Sequence, residues 1–96
     1  MGQFHPLRIV ILGTRSNETY EFRVAITRTP AAHLLGHGGT TVLQHDLVRR
    51  IFGGAQAYRT RKEAEEMAAH KKEQVFREGT PVLIQVLIVM CATFPS

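Results

Sequence analysis

Leu7-Arg8-Ile9-Val10-Ile11-Leu12-Gly13 and, after Thr14-Arg15-Ser16-Asn17-Glu18, Tyr20-Glu21-Phe22-Arg23-Val24-Ala25-Ile26-Thr27 together decide the fold. The first run is apolar and β-branched between Pro6 and Gly13, which predicts a strand over 7–12. The middle piece has turn composition, and Asn17 tolerates a positive φ. In the last run Tyr20, Phe22, Val24 and Ile26 alternate with Glu21, Arg23, Ala25 and Thr27, the period of a strand with one buried face. A connection this short makes the pair an antiparallel hairpin.

Further along, Val82-Leu83-Ile84-Gln85-Val86-Leu87-Ile88-Val89-Met90 is apolar at nearly every position. Runs of that kind belong to strands covered on both faces, which predicts a third strand in the middle of the sheet. Between the hairpin and this strand the pattern turns helical. Thr29-Pro30 suits the cap and first position of one short turn over 31–35. A helix beginning at Thr40 or Thr41 and ending near Phe52 would bury Val42, Leu43, Leu47, Ile51 and Phe52, with Gly53-Gly54 as its stop. Thr60-Arg61-Lys62-Glu63 is a capping box that opens a helix over 61–78, with Ala64, Met67, Ala68 and Val75 on one stripe. Glu78-Gly79-Thr80-Pro81 stops it. The tail from Thr93 reads as loose chain.

The expected fold is therefore α+β, ordered ββααβ, with a three-stranded sheet, a central C-terminal strand and the helices packed on one face. Residues 1–96 make a single domain, since a chain this short builds one core. Charged residues are 21% and hydrophobic ones 44%, so neither disorder nor a fibrous repeat is the default expectation. Cys91 is the only cysteine, so a disulfide framework and a multi-cysteine zinc site are both excluded. The N-terminus lacks the layout of a secretory signal, and Pro6 stands where a myristoylation motif wants Ser or Thr. The apolar run from Val82 to Ala92 is 11 residues, against the about 20 that a membrane span needs. A soluble, cytoplasmic protein in a reducing compartment is expected.

Alternation on the sheet puts Val10, Leu12 and Ala25 opposite Ile9, Ile11, Val24 and Ile26. With the helices on one face, the other face, including half of the third strand, is left bare. A bare apolar face needs a cover, and a second copy is the simplest one. The expected interface residues are Val10, Leu12, Ala25 and Leu87, and the expected partner is the chain itself or a larger protein.

Three groups of residues carry candidate chemistry. His33 and His37 are four apart and echo a zincin spacing, but Leu34 stands where the motif needs Glu and Gly36 breaks the helix, so no metal or other cofactor is expected. Gly36-His37-Gly38-Gly39 offers backbone amides to a phosphate at a helix start. That loop resembles the glycine loop of KH RNA-binding domains, which joins two helices and grips the nucleic-acid backbone. The chain departs from that pattern, because the helix before the loop is too short and a second long helix precedes the next strand. Arg49, Arg50, Arg59, Arg61 and Lys62 gather around Gly53-Gly54 with Tyr58 among them, a set suited to phosphates and a stacked base. The 12 Lys and Arg against 8 acids are compatible with such a ligand but do not require one.

No residue set for nucleophilic or acid–base catalysis stands out. Cys91 ends an apolar strand, Ser16 sits in a turn, and Glu63, Glu65 and Glu66 suit the dipole at a helix start. The sequence reads as a non-enzymatic binding or regulatory protein, a homodimer or an inhibitor or accessory subunit of the kind phages encode. Two alternatives remain: a basic nucleic-acid binder using the arginine cluster, and an anion or phosphate binder using Gly36, Gly38 and Gly39.

Overall fold

The structure is a computed structural model and describes residues 5–36, 42–77, 79–89 and 92–95. Its elements are β1 (Arg8–Ser16), β2 (Thr19–Thr27), a 3-10 turn (Ala31–Leu34), α1 (His45–Phe52), α2 (Arg61–Arg77) and β3 (Leu83–Val89). The chain is an α+β protein with a three-stranded mixed sheet and the order ββααβ.

β1 and β2 form the expected antiparallel hairpin, in register from Arg8 opposite Thr27 to Ser16 opposite Thr19. Its turn is tighter than the composition suggests. Only Asn17 and Glu18 lie between the strands, and Asn17 takes φ 58. A two-residue turn with its first residue at positive φ follows the right-handed twist of the strands. Gly13, expected to end β1, lies inside it. A Cβ at this position would come 2.7 Å from Cδ1 of Ile88 and 2.9 Å from the Phe22 ring. The glycine is therefore a packing requirement rather than a breaker.

The sheet order is β2-β1-β3, so β1 and not β3 is the central strand. β3 runs parallel to β1, with Arg8 opposite Leu83 and Thr14 opposite Val89. This corrects the expected position of the C-terminal strand. An apolar run reports cover on both faces, and it is silent about neighbours within the sheet. β1 has the same kind of run, with Ile9, Val10, Ile11 and Leu12 all 0–1% exposed, and it takes both partners.

The helices are divided between the two faces, which corrects the one-face arrangement. Val10 and Leu12 pack with Leu34, Leu43, Val48, Phe52 and Val89, the layer built by the 3-10 turn and α1. Ile9 and Ile11 pack with Phe22, Val24, Ala64 and Ala68, the layer built by α2. The reason lies in β1 itself. Both of its alternating rows are large and apolar, so each needs a helix above it.

α1 is shorter than predicted. Leu43 is buried and bridges Leu35 as a strand pair, while Val42 is 58% exposed, so the helix starts at His45 and buries Val48 and Phe52. α2 matches its prediction closely. Glu63 N donates to Thr60 Oγ1 at 3.1 Å, the Thr60 hydroxyl donates to Glu63 Oε1 at 2.9 Å, and Ala64, Ala68 and Val75 are buried. At the 3-10 turn the cap is Pro30 rather than Thr29, and it makes no side-chain bond. The tail is not loose at residues 92–95. Ala92 and Phe94 pack on the α1 layer, and the Arg23 guanidinium lies 3.8 Å from the centre of the Phe94 ring.

Candidate functional site

A sheet of three strands has two outer edges, and this chain treats them differently. After α1 the segment 53–60 passes the outer side of β2 on its way from one face to the other. There Tyr58 N donates to the Phe22 carbonyl at 2.7 Å, and Phe22 N donates to the Tyr58 carbonyl at 2.8 Å. This bridge gives β2 an outer neighbour at Phe22. Glu21 and Arg23 add charge to the same strand and pair at 2.8 Å. Short pairing and charge both discourage further strand addition.

The outer edge of β3 has none of these guards. Among the described residues its backbone bonds only to β1. The strand reads Leu83-Ile84-Gln85-Val86-Leu87-Ile88-Val89 and holds no charge. Leu83 is 53% and Val86 37% exposed. Val89 is buried, while Ile84, Leu87 and Ile88 are half-buried against the two core layers. Gln85, the single polar residue, is occupied inside the chain. Its Oε1 accepts from Arg8 Nη1 at 3.1 Å and from Ala31 N at 3.2 Å. It thereby serves the buried Arg8 and pins β3 to β1 and to the 3-10 turn.

The expected interface residues fall elsewhere. Val10 and Leu12 are 0% and 1% exposed under α1 and the 3-10 turn, and Ala25 and Leu87 pack at the margin of that core. They are not a bare surface, because the second helix layer that the one-face arrangement lacked is supplied by the chain itself. The outer side of β3, rather than a sheet face, is left without a backbone partner among the described residues.

The basic cluster is spread around the β2 edge rather than gathered on one surface. Arg49 and Arg50 end α1 on one face; Arg61 and Lys62 begin α2 on the other; Arg59 lies on the crossing segment. Arg49 pairs with Asp46 at 3.2 Å and Arg61 with Glu65 at 3.6 Å. Arg59 lines an open cleft of about 500 Å³ with Thr19, Tyr20 and Glu21, where the carboxylate opposes an anion. Tyr58, expected as a base-stacking ring, is half-buried in the α2 layer beside its backbone bridge.

Of the glycine loop, Gly36 is described and donates to the Val42 carbonyl at 2.6 Å; Gly38, Gly39 and His37 lie outside the described residues, as does Cys91. His33 is exposed and meets His5 edge-on at 5.6 Å between ring centres, a pairing that their sequence separation conceals. No group of three or more His, Cys, Asp or Glu among the described residues is arranged to hold a metal. Glu63 and Glu65 are committed to Thr60 and Arg61, and the Ser16 carbonyl accepts from the Thr19 hydroxyl. No helix of the described residues is long and apolar enough to cross a membrane.

Sequence reasoning missed Leu83 and Val86 as edge residues and Tyr58 as the guard of the opposite edge. The signal for Tyr58 is faint. It stands two residues before a capping threonine, in Ala55-Gln56-Ala57-Tyr58-Arg59, a stretch too short to show a period. No family model, curated protein or solved structure matches this chain.

Proposed function

We propose that this chain is a non-enzymatic binding protein that works through protein–protein contact, with the outer edge of β3 as its docking element. The observation that carries this reading is the asymmetry of the edges. One edge is bridged by Tyr58 and flanked by charge, while the other is uncharged over seven residues and has an unbonded outer side among the described residues. An unguarded edge offers a row of N–H and C=O groups to another strand, and main-chain bonds then supply affinity that does not depend on side-chain charge. The apolar side chains of Leu83 and Val86 extend the contact beyond the backbone.

Amide hydrogen exchange on dilute, monomeric protein tests this reading. Along a strand, successive N–H groups point to opposite sides, so an open edge exposes every second amide. In β3 we expect amides facing β1 to exchange slowly and the alternate ones to exchange quickly. The amides of Phe22 and Tyr58 are expected to be slow, since they bond to each other's carbonyls. Uniform protection along β3 in the monomer contradicts the reading, because it means that the edge is already covered.

A further inference from the structure

We propose that the strand that pairs with β3 is β3 of a second copy, antiparallel and centred on Val86, so that two three-stranded sheets join into one of six strands. The inference rests on the edge reading above and names the occupant. Three observations lead to it.

The first concerns which pairings between copies are open. A β3 edge can meet either the β2 edge or the β3 edge of another molecule. The β2 edge is bridged at Phe22 by Tyr58 and bears Glu21 and Arg23. Head-to-tail addition of β3 along the full length of β2, which propagates into open filaments, is therefore interrupted at Phe22, and only the stretch 24–27, with Ile26 exposed, lies beyond the bridge and its charges. The isologous pairing of β3 with β3 remains, and it closes after two copies.

The second is the register. A two-fold axis normal to the sheet keeps each side chain on its own face, so opposed residues must have the same parity and the axis must pass through a residue pair. Centring on Val86 is the one choice that overlaps all seven residues, Leu83–Val89. It sets Leu83 opposite Val89, Ile84 opposite Ile88, Gln85 opposite Leu87, and Val86 opposite its own mate. Apart from Gln85 opposite Leu87, these are branched or apolar cross-strand pairs, which are favourable.

The third is charge. A strand of another protein is commonly selected by charge complementarity, and β3 has no charge to offer. The same neutrality lets two identical strands meet without repulsion. At about 3.3 Å per residue the shared edge is roughly 23 Å long, which is smaller than a standard interface. Association is accordingly a concentration-dependent equilibrium rather than a permanent dimer.

Because Val86 faces its own mate, opposite charges at this one position provide the test. Val86→Lys and Val86→Glu are prepared separately, their folding is checked by circular dichroism, and their masses are measured by sedimentation equilibrium alone and in equimolar mixture. Each variant alone is expected to self-associate roughly a hundredfold more weakly than the unsubstituted chain, since like charges are then opposed. The mixture is expected to recover a one-to-one dimer. Variants that still dimerise alone, or a mixture of folded variants that stays monomeric, overturn the Val86-centred pairing. An unsubstituted chain that is monomeric at every concentration overturns self-pairing altogether. The fast alternate amides of β3 then decide separately whether the open edge itself stands.

Discussion

At the scale of single residues, two positions that look like interruptions hold the sheet together. Gly13 sits opposite Phe22 on β2 and Ile88 on β3, and their side chains occupy the volume where its Cβ would be. Gly13→Ala should destabilise the protein by about 1–3 kcal/mol, the usual cost of overpacking a core. Urea unfolding followed by circular dichroism reads this as a lower midpoint at unchanged slope, and an unchanged midpoint contradicts the packing role. Gln85 breaks the apolar run of β3 because a buried Arg8 and the Ala31 amide both need its carbonyl oxygen. Neither role could be read from the sequence. The first depends on a contact between three strands, and the second on a pairing 77 residues apart. Arg23 is a comparable case. It pairs with Glu21 and lies against Phe94, yet its Nη1 is buried without a hydrogen-bond partner among the described residues.

At the scale of elements, legibility followed periodicity. The hairpin was readable because β2 alternates cleanly, and α2 because a capping box and an alanine stripe agree with one another. α1 was only half readable, since Leu43 belongs to a bridge with Leu35 that mimics the start of a helical stripe. Segment 53–60 has no period and was read only as a link carrying basic residues. Its path carries the chain past β2 from the α1 face to the α2 face, a crossing that no pattern in the segment signals. The same segment yields a prediction. Tyr58→Pro removes the N–H that donates to the Phe22 carbonyl and so weakens the guard on the β2 edge. With both edges available, pairing no longer closes at two copies, and light scattering should detect larger, concentration-dependent species. If the variant stays folded and no larger than the unsubstituted chain, Tyr58 does not guard that edge.

At the scale of the whole molecule, the sheet face on which a partner was expected is covered by the chain's own helices. Exposed apolar side chains are found at Leu83 and Val86 on β3, and also at Ile26 on β2, at Val42 and at Phe76 on α2. The face is closed because the chain divides its two helices between the two rows of β1 side chains. The slab that results measures 40 × 36 × 19 Å, with a radius of gyration of 13.3 Å. The basic residues, which their sequence positions around Gly53-Gly54 placed in one cluster, are distributed around the β2 edge and in part engaged with acids. Of the two sheet edges, that of β3 carries neither charge nor a further backbone bridge among the described residues.

The most direct test of that account is the mass of the unsubstituted protein in solution, measured by light scattering across a range of concentrations at low and at high salt. Uncharged edge pairing responds little to ionic strength, whereas binding to nucleic acid weakens steeply with it. We expect the mass to rise with concentration from the chain value of 10.8 kDa to twice that value, to stop there, and to do so alike at both salts. A mass that stays at the chain value throughout, or association that disappears at high salt, would contradict it.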